Sequence, residues 1–173
     1  MTYAEFRAVL LEDQRANVLN SKGRLIVTAY RAAAYAHSNR NKGLLWSVVA
    51  RCICGLYKIL IDYVMGVYIP VEAKIGPGLC IYHGVGIVLH PACVLGRNCI
   101  LRQGVTIGSK DGTGETVPII GNHVDVGAQA IIIGRITIGD NATVGAGTVV
   151  LESVPAGALI VGNPGRVRLI AGG

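Results

Sequence analysis

The sequence predicts a mainly β protein, a parallel β-helix preceded by an α-helical segment. From Ile69 onward, small or aliphatic residues recur every six residues, and glycine often follows three places later, as in "VDVGAQ" and "ITIGDN". A strand alone repeats every two residues, so a six-residue repeat means that the chain turns a corner after each short strand, with three repeats to a coil. Before Ile69 the pattern is instead that of capped helices.

Composition limits the class of protein and of partner. The 173 residues are 51% apolar and only 15% charged, which excludes a disordered chain and predicts subunit contacts that cover part of the surface. Five cysteines without a C-x-x-C pair, and no secretory signal pattern, predict free thiols in a reducing cytoplasm. Of the formal charge of +6, residues 1–67 carry +5. A basic end favours an anionic membrane surface or an acidic substrate as the partner. Nucleic acid is poorly supported as a partner, because the sequence lacks an aromatic-plus-basic motif.

Three helices are predicted in the front segment. Thr2 and Glu5 form a capping-box pattern that begins a helix over residues 3–16. The run 20–23 breaks it, and further helices are expected over 24–38 and 44–67. The third is long enough to cross a membrane, but it is interrupted by charged residues. We therefore expect an amphipathic helix packed on its own protein, with peripheral membrane contact through Trp46 and the basic residues as the alternative.

Each six-residue repeat is called a word, and the words continue toward the end of the chain. Fourteen words predict between four and five coils; their first residues are Ile69, Ile75, Ile81, Ile87, Cys93, Cys99, Val105, Pro118, Val124, Ala130, Ile136, Ala142, Thr148 and Val154. Cys93 and Cys99 fall at core positions and are interpreted as small inert hydrophobic residues. Thirteen residues separate Val105 from Pro118 where six would keep the register. Residues 109–117 therefore form an extruded loop, either an idle surface loop or a wall of a substrate cleft.

The word "IYHGVG" places one imidazole, His83, among aliphatic residues and glycines. A histidine in such a run is often a satisfied core residue. The alternative is catalytic, since imidazole is the side chain whose ordinary titration range reaches neutral pH, and it can take a proton from an attacking alcohol.

Residues 68–170, with these words, the loop and the tail "VGNPGRVRLI", resemble the left-handed β-helix acyltransferases and specifically serine acetyltransferase. The front segment, including "LLEDQRAN", is similar to the short serine-acetyltransferase-like enzymes of exopolysaccharide and capsule biosynthesis. The resemblance implies a left-handed coil, a homotrimer and acetyl-CoA bound between neighbouring subunits. It divides the chain into a helical segment (1–67), an acyltransferase domain (68–160) and a C-terminal tail (161–173).

The resemblance implies that His83 is the general base, because "IYHGVG" stands where the serine enzymes have "LDHATG". Tyr82 replaces the aspartate just before that histidine, which contacts the substrate amine in the family. Tyr68 replaces the aspartate fifteen residues before the histidine, which orients its ring in the family. The ammonium group of serine thus loses its carboxylate partner, whereas two tyrosines suit a sugar, although they could instead pack at a trimer seam. Where the family has Arg-His-Pro, the loop reads Thr116-Val117-Pro118. The predicted acceptor-binding residues are Tyr68, Tyr82, Glu115 and Thr116.

Other matches to the family imply a binding path for CoA. "GVTIGS" keeps Thr106 and Gly108 where the loop leaves the coil, and "VGAQAIIIG" and "VGAGTVV" keep small residues at corners along the pantetheine path. The "GNPGR" run is similar to the family's "G-x-P-A-R" signature and offers arginines to the CoA phosphates. The predicted CoA-binding residues are Thr106, Gly108, Ala128, Ala146, Gly147, Arg166 and Arg168.

The function expected from these residues is O-acetyl transfer from acetyl-CoA to a hydroxyl of a saccharide in surface polysaccharide biosynthesis, with no metal. Serine acetylation for cysteine biosynthesis is the close alternative. A zinc carbonic anhydrase on the same fold would need converging imidazoles from His83, His90 and His123, whose places in their words differ. A non-catalytic scaffold is the remaining alternative. The enzyme is expected in the cytoplasm or at the inner face of the membrane.

Overall fold

A computed structural model describes residues 1–112 and 114–168 of the chain. Thr113 of the predicted loop and residues 169–173 of the predicted tail lie outside the described residues. The predicted fold class is confirmed: three helices precede a left-handed parallel β-helix. The helices are α1 (Tyr3–Ala16), α2 (Ser21–Asn39) and α3 (Leu44–Tyr57), and α3 continues into a π-helical segment, Lys58–Val64.

The strands form the three faces of a prism. Face 1 contains β1 (Lys74–Ile75), β4 (Val94–Leu95), β7 (Ile119–Ile120) and β10 (Thr137–Ile138). Face 2 contains β2 (Cys80–Ile81), β5 (Ile100–Leu101), β8 (Asp125–Val126), β11 (Thr143–Val144) and β13 (Leu159–Val161), and is closed by the antiparallel β14 (Arg166–Arg168). Face 3 contains β3 (Val88–Leu89), β6 (Thr106–Gly108), β9 (Ile131–Ile133) and β12 (Val149–Val150). Four complete coils and part of a fifth agree with the predicted number.

Each word sends two residues inward, such as Cys93 and Leu95, and the buried core runs along the prism axis. Burial raises the pKa of the Cys93 thiol to about 12, in agreement with an inert core residue. The first corner residue is usually glycine because the next coil passes close beneath it. A Cβ on Gly127 would lie 2.5 Å from the Ala146 amide nitrogen. Close approach, rather than a special backbone conformation, therefore selects these glycines.

The prediction of one unbroken six-residue phase from Ile69 to Val105 is wrong at one corner. Cys80 pairs with Ile100, twenty positions on, whereas Val88 pairs with Thr106, eighteen positions on. The corner 82–86 thus carries two more residues than an ordinary corner. The first three words begin at Val67, Ala73 and Leu79, which are all buried. The error is hidden because Ile69, Ile75 and Ile81 are the second inward residues of those words and are equally apolar.

The helices cap the open end of the prism, where the first coil would otherwise leave unpaired backbone groups. The Tyr30 and Tyr57 hydroxyls donate to the carbonyls of Ala73 and Ile69, each at 2.6 Å. Asp13 accepts from the Gly78 and Leu79 amides at 2.7 and 3.0 Å.

Two helix predictions need correction. The predicted capping box of α1 is confirmed, but α2 begins at Ser21, because Asn20 accepts from the Gly23 amide at 3.0 Å. Gly23 is part of the helix, and a Cβ there would collide with the Ile81 carbonyl. The third helix is not amphipathic in the predicted way. It buries Ala50, Tyr57 and Ile61, but its outer face is also apolar and exposed.

Candidate functional site

The functional residues are best described by the edges of the prism. The 2–3 edge joins face 2 to face 3 through the corners 82–86, 102–104, 127–129 and 145–147. The 1–2 edge has the corners 76–78, 96–98, 121–123, 139–141 and 155–157. The 3–1 edge has the corners 90–92, 108–117, 133–136 and 151–153, and it is the origin of the extruded loop.

His83 lies exposed at the top of the 2–3 edge, in the five-residue corner, so it is not a core residue. Its backbone is left-handed, with φ 64°, a conformation that histidine tolerates better than most side chains. Within the described residues no hydrogen bond joins His83 to another group. The ring therefore projects from a turn whose two additional residues carry it away from the coil.

The helices hold this corner from behind. Asn17 donates to the Leu79 carbonyl at 2.7 Å and accepts from the Ile81 amide at 3.1 Å. Asn20 donates to the Ile81 carbonyl. These two amides act as a substitute strand for β2, the strand that leads into His83. Neither asparagine was identified from the sequence, although the "EDQRAN" motif contains Asn17.

Tyr82 begins the corner on the face 2 side, and 41% of its surface is exposed. The Arg102 guanidinium lies 5.8 Å from the centre of its ring, and Arg102 also forms an ion pair with Asp125. The nearby Cys80 thiol raises the pKa of the Tyr82 hydroxyl. Arg102 was not foreseen, because an unbroken eighteen-residue coil would have placed Ile100 beneath Tyr82.

Tyr68, also 41% exposed, lies on face 3, where it pairs with Val88. It lines a groove of about 280 Å³ with Val88, His90, Thr106 and Gly108. The two tyrosines therefore lie on the two faces that meet at the His83 edge, and no hydrogen bond between described residues joins either of them to His83.

The predicted loop residues lie at a different edge from His83. Thr116 donates to Asp111 Oδ1 at 2.6 Å, and Ser109 donates to the same oxygen at 2.6 Å, so these hydroxyls close the base of the loop. Glu115 is exposed on the loop. One protomer does not bring Glu115 or Thr116 together with His83, because the whole of face 3 separates their edges.

The predicted CoA residues fall into two groups. Thr106 and Gly108 lie on face 3 beside the loop edge. Ala128, Ala146 and Gly147 lie on the 2–3 edge, below His83. Since successive strands are about 4.8 Å apart, Ala128 lies about 10 Å and Ala146 about 14 Å along the axis from the His83 coil.

Middle-corner amides are capped in the upper coils of the 1–2 edge but open along the 2–3 edge. On the 1–2 edge the Arg97 amide donates to Asn122 Oδ1 at 2.9 Å, and the Asn122 amide donates to Asp140 Oδ1 at 2.7 Å. On the 2–3 edge the equivalent amides of Ala128 and Ala146 donate to no group in the part of the chain that is described. The amides of Asp140 and Ala156, lower on the 1–2 edge, also donate to no described group, so side chains of the next coil close only the upper part of that edge to an external acceptor.

The C-terminal arginines differ in their distance from this edge. Arg166 pairs with Val161, where β13 reaches the 2–3 edge, whereas Arg168 pairs with Leu159, two residues back along face 2. Arg166 is thus the arginine nearer to the line defined by His83, Ala128 and Ala146.

Gln103 is a further polar residue on the 2–3 edge that the sequence did not reveal. It lies one coil from His83, and its Oε1 atom is buried without a hydrogen-bond partner among the described residues. An unpaired buried acceptor is uncommon and marks this corner as polar beneath His83.

The three histidines considered as zinc ligands lie on three different edges: His83 on the 2–3 edge, His90 on the 3–1 edge and His123 on the 1–2 edge. Within residues 1–112 and 114–168, no group of three or more His, Cys, Asp or Glu side chains could hold a metal ion.

Comparisons with known proteins identify relatives of this chain. Residues 118–152 match a family described as the hexapeptide repeat of succinyl-transferase. The chain is 42% identical over 161 residues to the putative colanic acid biosynthesis acetyltransferase WcaB of Escherichia coli, covering 93% of this chain and 99% of that protein. The structure of the present chain is similar to that of the soybean serine acetyltransferase apoenzyme, with a TM-score of 0.80 and 34% identity, over 95% of this chain and 69% of the other. It is also similar to a serine acetyltransferase in complex with CoA (TM-score 0.78, 28% identity, 96% and 71%).

Proposed function

Because the chain belongs to the hexapeptide-repeat acyltransferases and has a serine acetyltransferase-like fold, we propose that it transfers an acetyl group from acetyl-CoA to a hydroxyl of a saccharide acceptor in surface polysaccharide biosynthesis. That the protein is an acetyltransferase is the starting point of this proposal.

In the proposed reaction His83 removes the proton from the acceptor hydroxyl while the hydroxyl oxygen attacks the thioester carbonyl. The C–S bond breaks, the acetyl group passes directly to the acceptor, and the imidazolium returns its proton to the leaving CoA thiolate. An exposed ring at a solvent-facing edge can reach both substrates, in contrast to a ring sealed in the core.

CoA is proposed to lie along the 2–3 edge, with Arg166 at its phosphate end and the thioester toward His83. Two observations support this path: the open amides of Ala128 and Ala146, which suit the amide carbonyls of the pantetheine arm, and the exposed Gly147, whose missing side chain leaves open space. The relative solved with CoA supports the choice of ligand.

The active site is proposed to be shared between neighbouring subunits of a homotrimer. Thr106, Gly108 and the extruded loop lie at the 3–1 edge, whereas His83 and the alanine corners lie at the 2–3 edge. In the proposed closed ring of three parallel prisms, the 3–1 edge of one subunit would face the 2–3 edge of the next. The loop residues Glu115 and Thr116 would then reach the acceptor from the neighbouring subunit.

The observation that favours a saccharide is the pair Tyr68 and Tyr82, each 41% exposed on one of the two faces that meet at His83. Tyrosine offers a ring face for a sugar ring and a hydroxyl for hydrogen bonds. Asp125, the carboxylate near Tyr82, is already paired with Arg102, so it is a poor partner for the ammonium group of serine. The 42% identical relative named for colanic acid biosynthesis supports the same choice.

The acceptor is tested by measuring release of CoA thiol from acetyl-CoA with p-nitrophenyl glycosides of glucose, galactose and fucose, and with L-serine in parallel. We expect turnover with at least one glycoside and little with serine. Tyr68→Ala is expected to raise KM for that glycoside about tenfold, since an aromatic contact is worth about 0.5–1.5 kcal/mol beyond its area. Serine-dependent turnover that exceeds every glycoside would contradict the proposal and favour serine acetylation.

The CoA path is tested with a leucine at one edge corner. Ala146→Leu is expected to weaken CoA binding tenfold or more, measured by calorimetry, because crowding of a fitted contact costs about 1–3 kcal/mol. Ala156→Leu is the matched control. Both alanines are exposed residues in the middle of a corner, and both lie close to a glycine of the preceding coil, but Ala156 is on the 1–2 edge. Equal weakening by both substitutions would contradict the assigned path.

A further inference from the structure

We propose that the outer face of α3 and the π-helical segment docks in the headgroup layer of an anionic lipid bilayer, lying parallel to its surface. This outer face consists of exposed apolar side chains: Leu44, Leu45, Val48, Val49, Leu56, Ile59, Tyr63 and Val64. The inference concerns a partner of the whole protein and does not depend on which acceptor is acetylated.

The outer face is unusual for a helix that faces water. Leu44 is 82% exposed and Leu56 is 66% exposed, at positions where an ordinary surface helix has charged residues. Leu44–Val64 is long and apolar enough to span a membrane by length and composition, and only 11% of its most apolar window is buried in the protein. A continuous exposed apolar surface of this kind marks an interaction site.

The inner side of the same helix excludes a membrane-spanning arrangement. Ala50, Tyr57 and Ile61 are buried in the core, and Tyr57 donates to the Ile69 carbonyl of the first coil. Crossing a bilayer would pull this stripe out of the protein and carry Arg51 and Lys58 into hydrocarbon. The helix can present its outer face to lipid only while lying on the surface.

The charges beside the outer face favour anionic lipid over a second copy of the chain. Lys42, Arg51 and Lys58 are exposed there, and Asp62 is the one acidic residue within residues 40–64. None of the three forms an ion pair within the described residues. Two copies pairing through this face would bring like charges together, whereas a negative bilayer surface attracts all of them.

Two surface hollows beside α3 suit the two parts of a lipid. One, of about 420 Å³, is lined by His37, Arg40, Ser47 and Arg51, and its cations suit a phosphate headgroup. The other, of about 270 Å³, is lined by Leu45, Trp46 and Val49 and suits hydrocarbon. Trp46, in the first turn of α3, is 39% exposed, and tryptophan is favoured at a membrane interface.

Docking through this face would also bring a groove that leads toward Tyr68 to the membrane surface. A groove of about 230 Å³ runs between the helix and residues 67–72, with Lys58 and Asp62 at one side and Tyr68 at the other. Tyr68 lines both this groove and the groove on face 3. An acceptor anchored in the bilayer would then meet Tyr68, which borders the face next to His83.

The test is sedimentation of the full-length protein with vesicles of phosphatidylcholine alone or with about a third phosphatidylglycerol. We expect binding to the anionic vesicles that falls at high salt, and weak binding to the neutral ones. Val48→Asn with Leu56→Asn should weaken binding at least tenfold through loss of apolar burial. Arg51→Gln with Lys58→Gln should weaken it about thirtyfold.

Two double variants are matched controls. Leu19→Asn with Leu151→Asn changes two exposed apolar residues elsewhere, and Arg7→Gln with Arg135→Gln changes the net charge by the same amount. Both should bind vesicles as the unmodified protein does. The proposal is overturned if the unmodified protein stays in the supernatant with both vesicle types, or if the face variants and their controls behave alike. It is also overturned if Val48→Asn with Leu56→Asn lowers the molar mass measured by light scattering, which would make the face a contact between copies.

Discussion

Replacing His83 with alanine is expected to lower kcat for acetyl transfer by a factor of about 10² to 10⁴, the range over which a general base contributes to rate. The affinity for CoA, measured by calorimetry, should change less than about twofold, because the proposed CoA contacts lie at the lower corners of the edge. The combination of lost turnover and retained binding is what a group that acts on the proton predicts. Steady-state release of CoA thiol measures the first quantity.

His123→Ala is the matched control for this substitution. His123 is also an exposed corner histidine with a left-handed backbone, φ 56°, but it lies on the 1–2 edge, away from the proposed site. It should retain acetyl transfer within about fivefold. If His83→Ala keeps a comparable rate, the base assignment is wrong, and if both variants lose CoA binding, the effect is structural rather than catalytic.

Much of the prism could be predicted from the sequence because its core obeys a local rule. Cys93, Val105 and Val124 begin words and are fully buried, and the excess of seven residues before Pro118 correctly predicts the extruded loop. Each word packs only on its neighbours one coil away, so the repeat carries the fold without knowledge of distant contacts.

The corner that carries His83 could not be read in the same way. Ile81 and Ile87 are six residues apart, which is the spacing of regular words. However, Ile81 is the second inward residue of its word, whereas Ile87 is the first inward residue of the following word. Either phase satisfies the apolar pattern, so the sequence does not reveal the two additional residues. The consequence is local but functional: Arg102, rather than Ile100, lies next to Tyr82.

The helical front was predicted least well, because its polar contacts are non-local. Asn20 resembles a helix breaker in the sequence, yet it caps α2 and bonds the Ile81 carbonyl. Asp13 is a carboxylate on the first helix, and nothing in the sequence pattern indicates that it is only 1% exposed. Side chains that bond the backbone of a distant strand leave no periodic trace in the sequence.

Replacing Asp13 with alanine is expected to lower the free energy of unfolding by about 3–5 kcal/mol, because it leaves a buried charge without its partner. Arg31 Nε donates to Asp13 Oδ2 at 2.6 Å, and both side chains are almost fully buried. Burial raises the pKa of the Asp13 carboxyl, while Arg31 and the Gly78 and Leu79 amides act to lower it. Urea unfolding at one fixed protein concentration measures the loss, since assembly shifts apparent stability.

Glu12→Ala provides the matched control at the neighbouring position. Glu12 accepts from Arg97 at 2.9 Å, so both substitutions remove a carboxylate paired with an arginine, but the Glu12 and Arg97 side chains are 39% and 58% exposed. An exposed pair contributes about 0–1 kcal/mol, so Glu12→Ala should have a small effect. Equal losses from the two substitutions would show that burial of the Asp13 pair does not anchor the helices to the first coil. A large loss confined to Asp13 would mean that the helical segment and the coil leading to His83 are stabilised together.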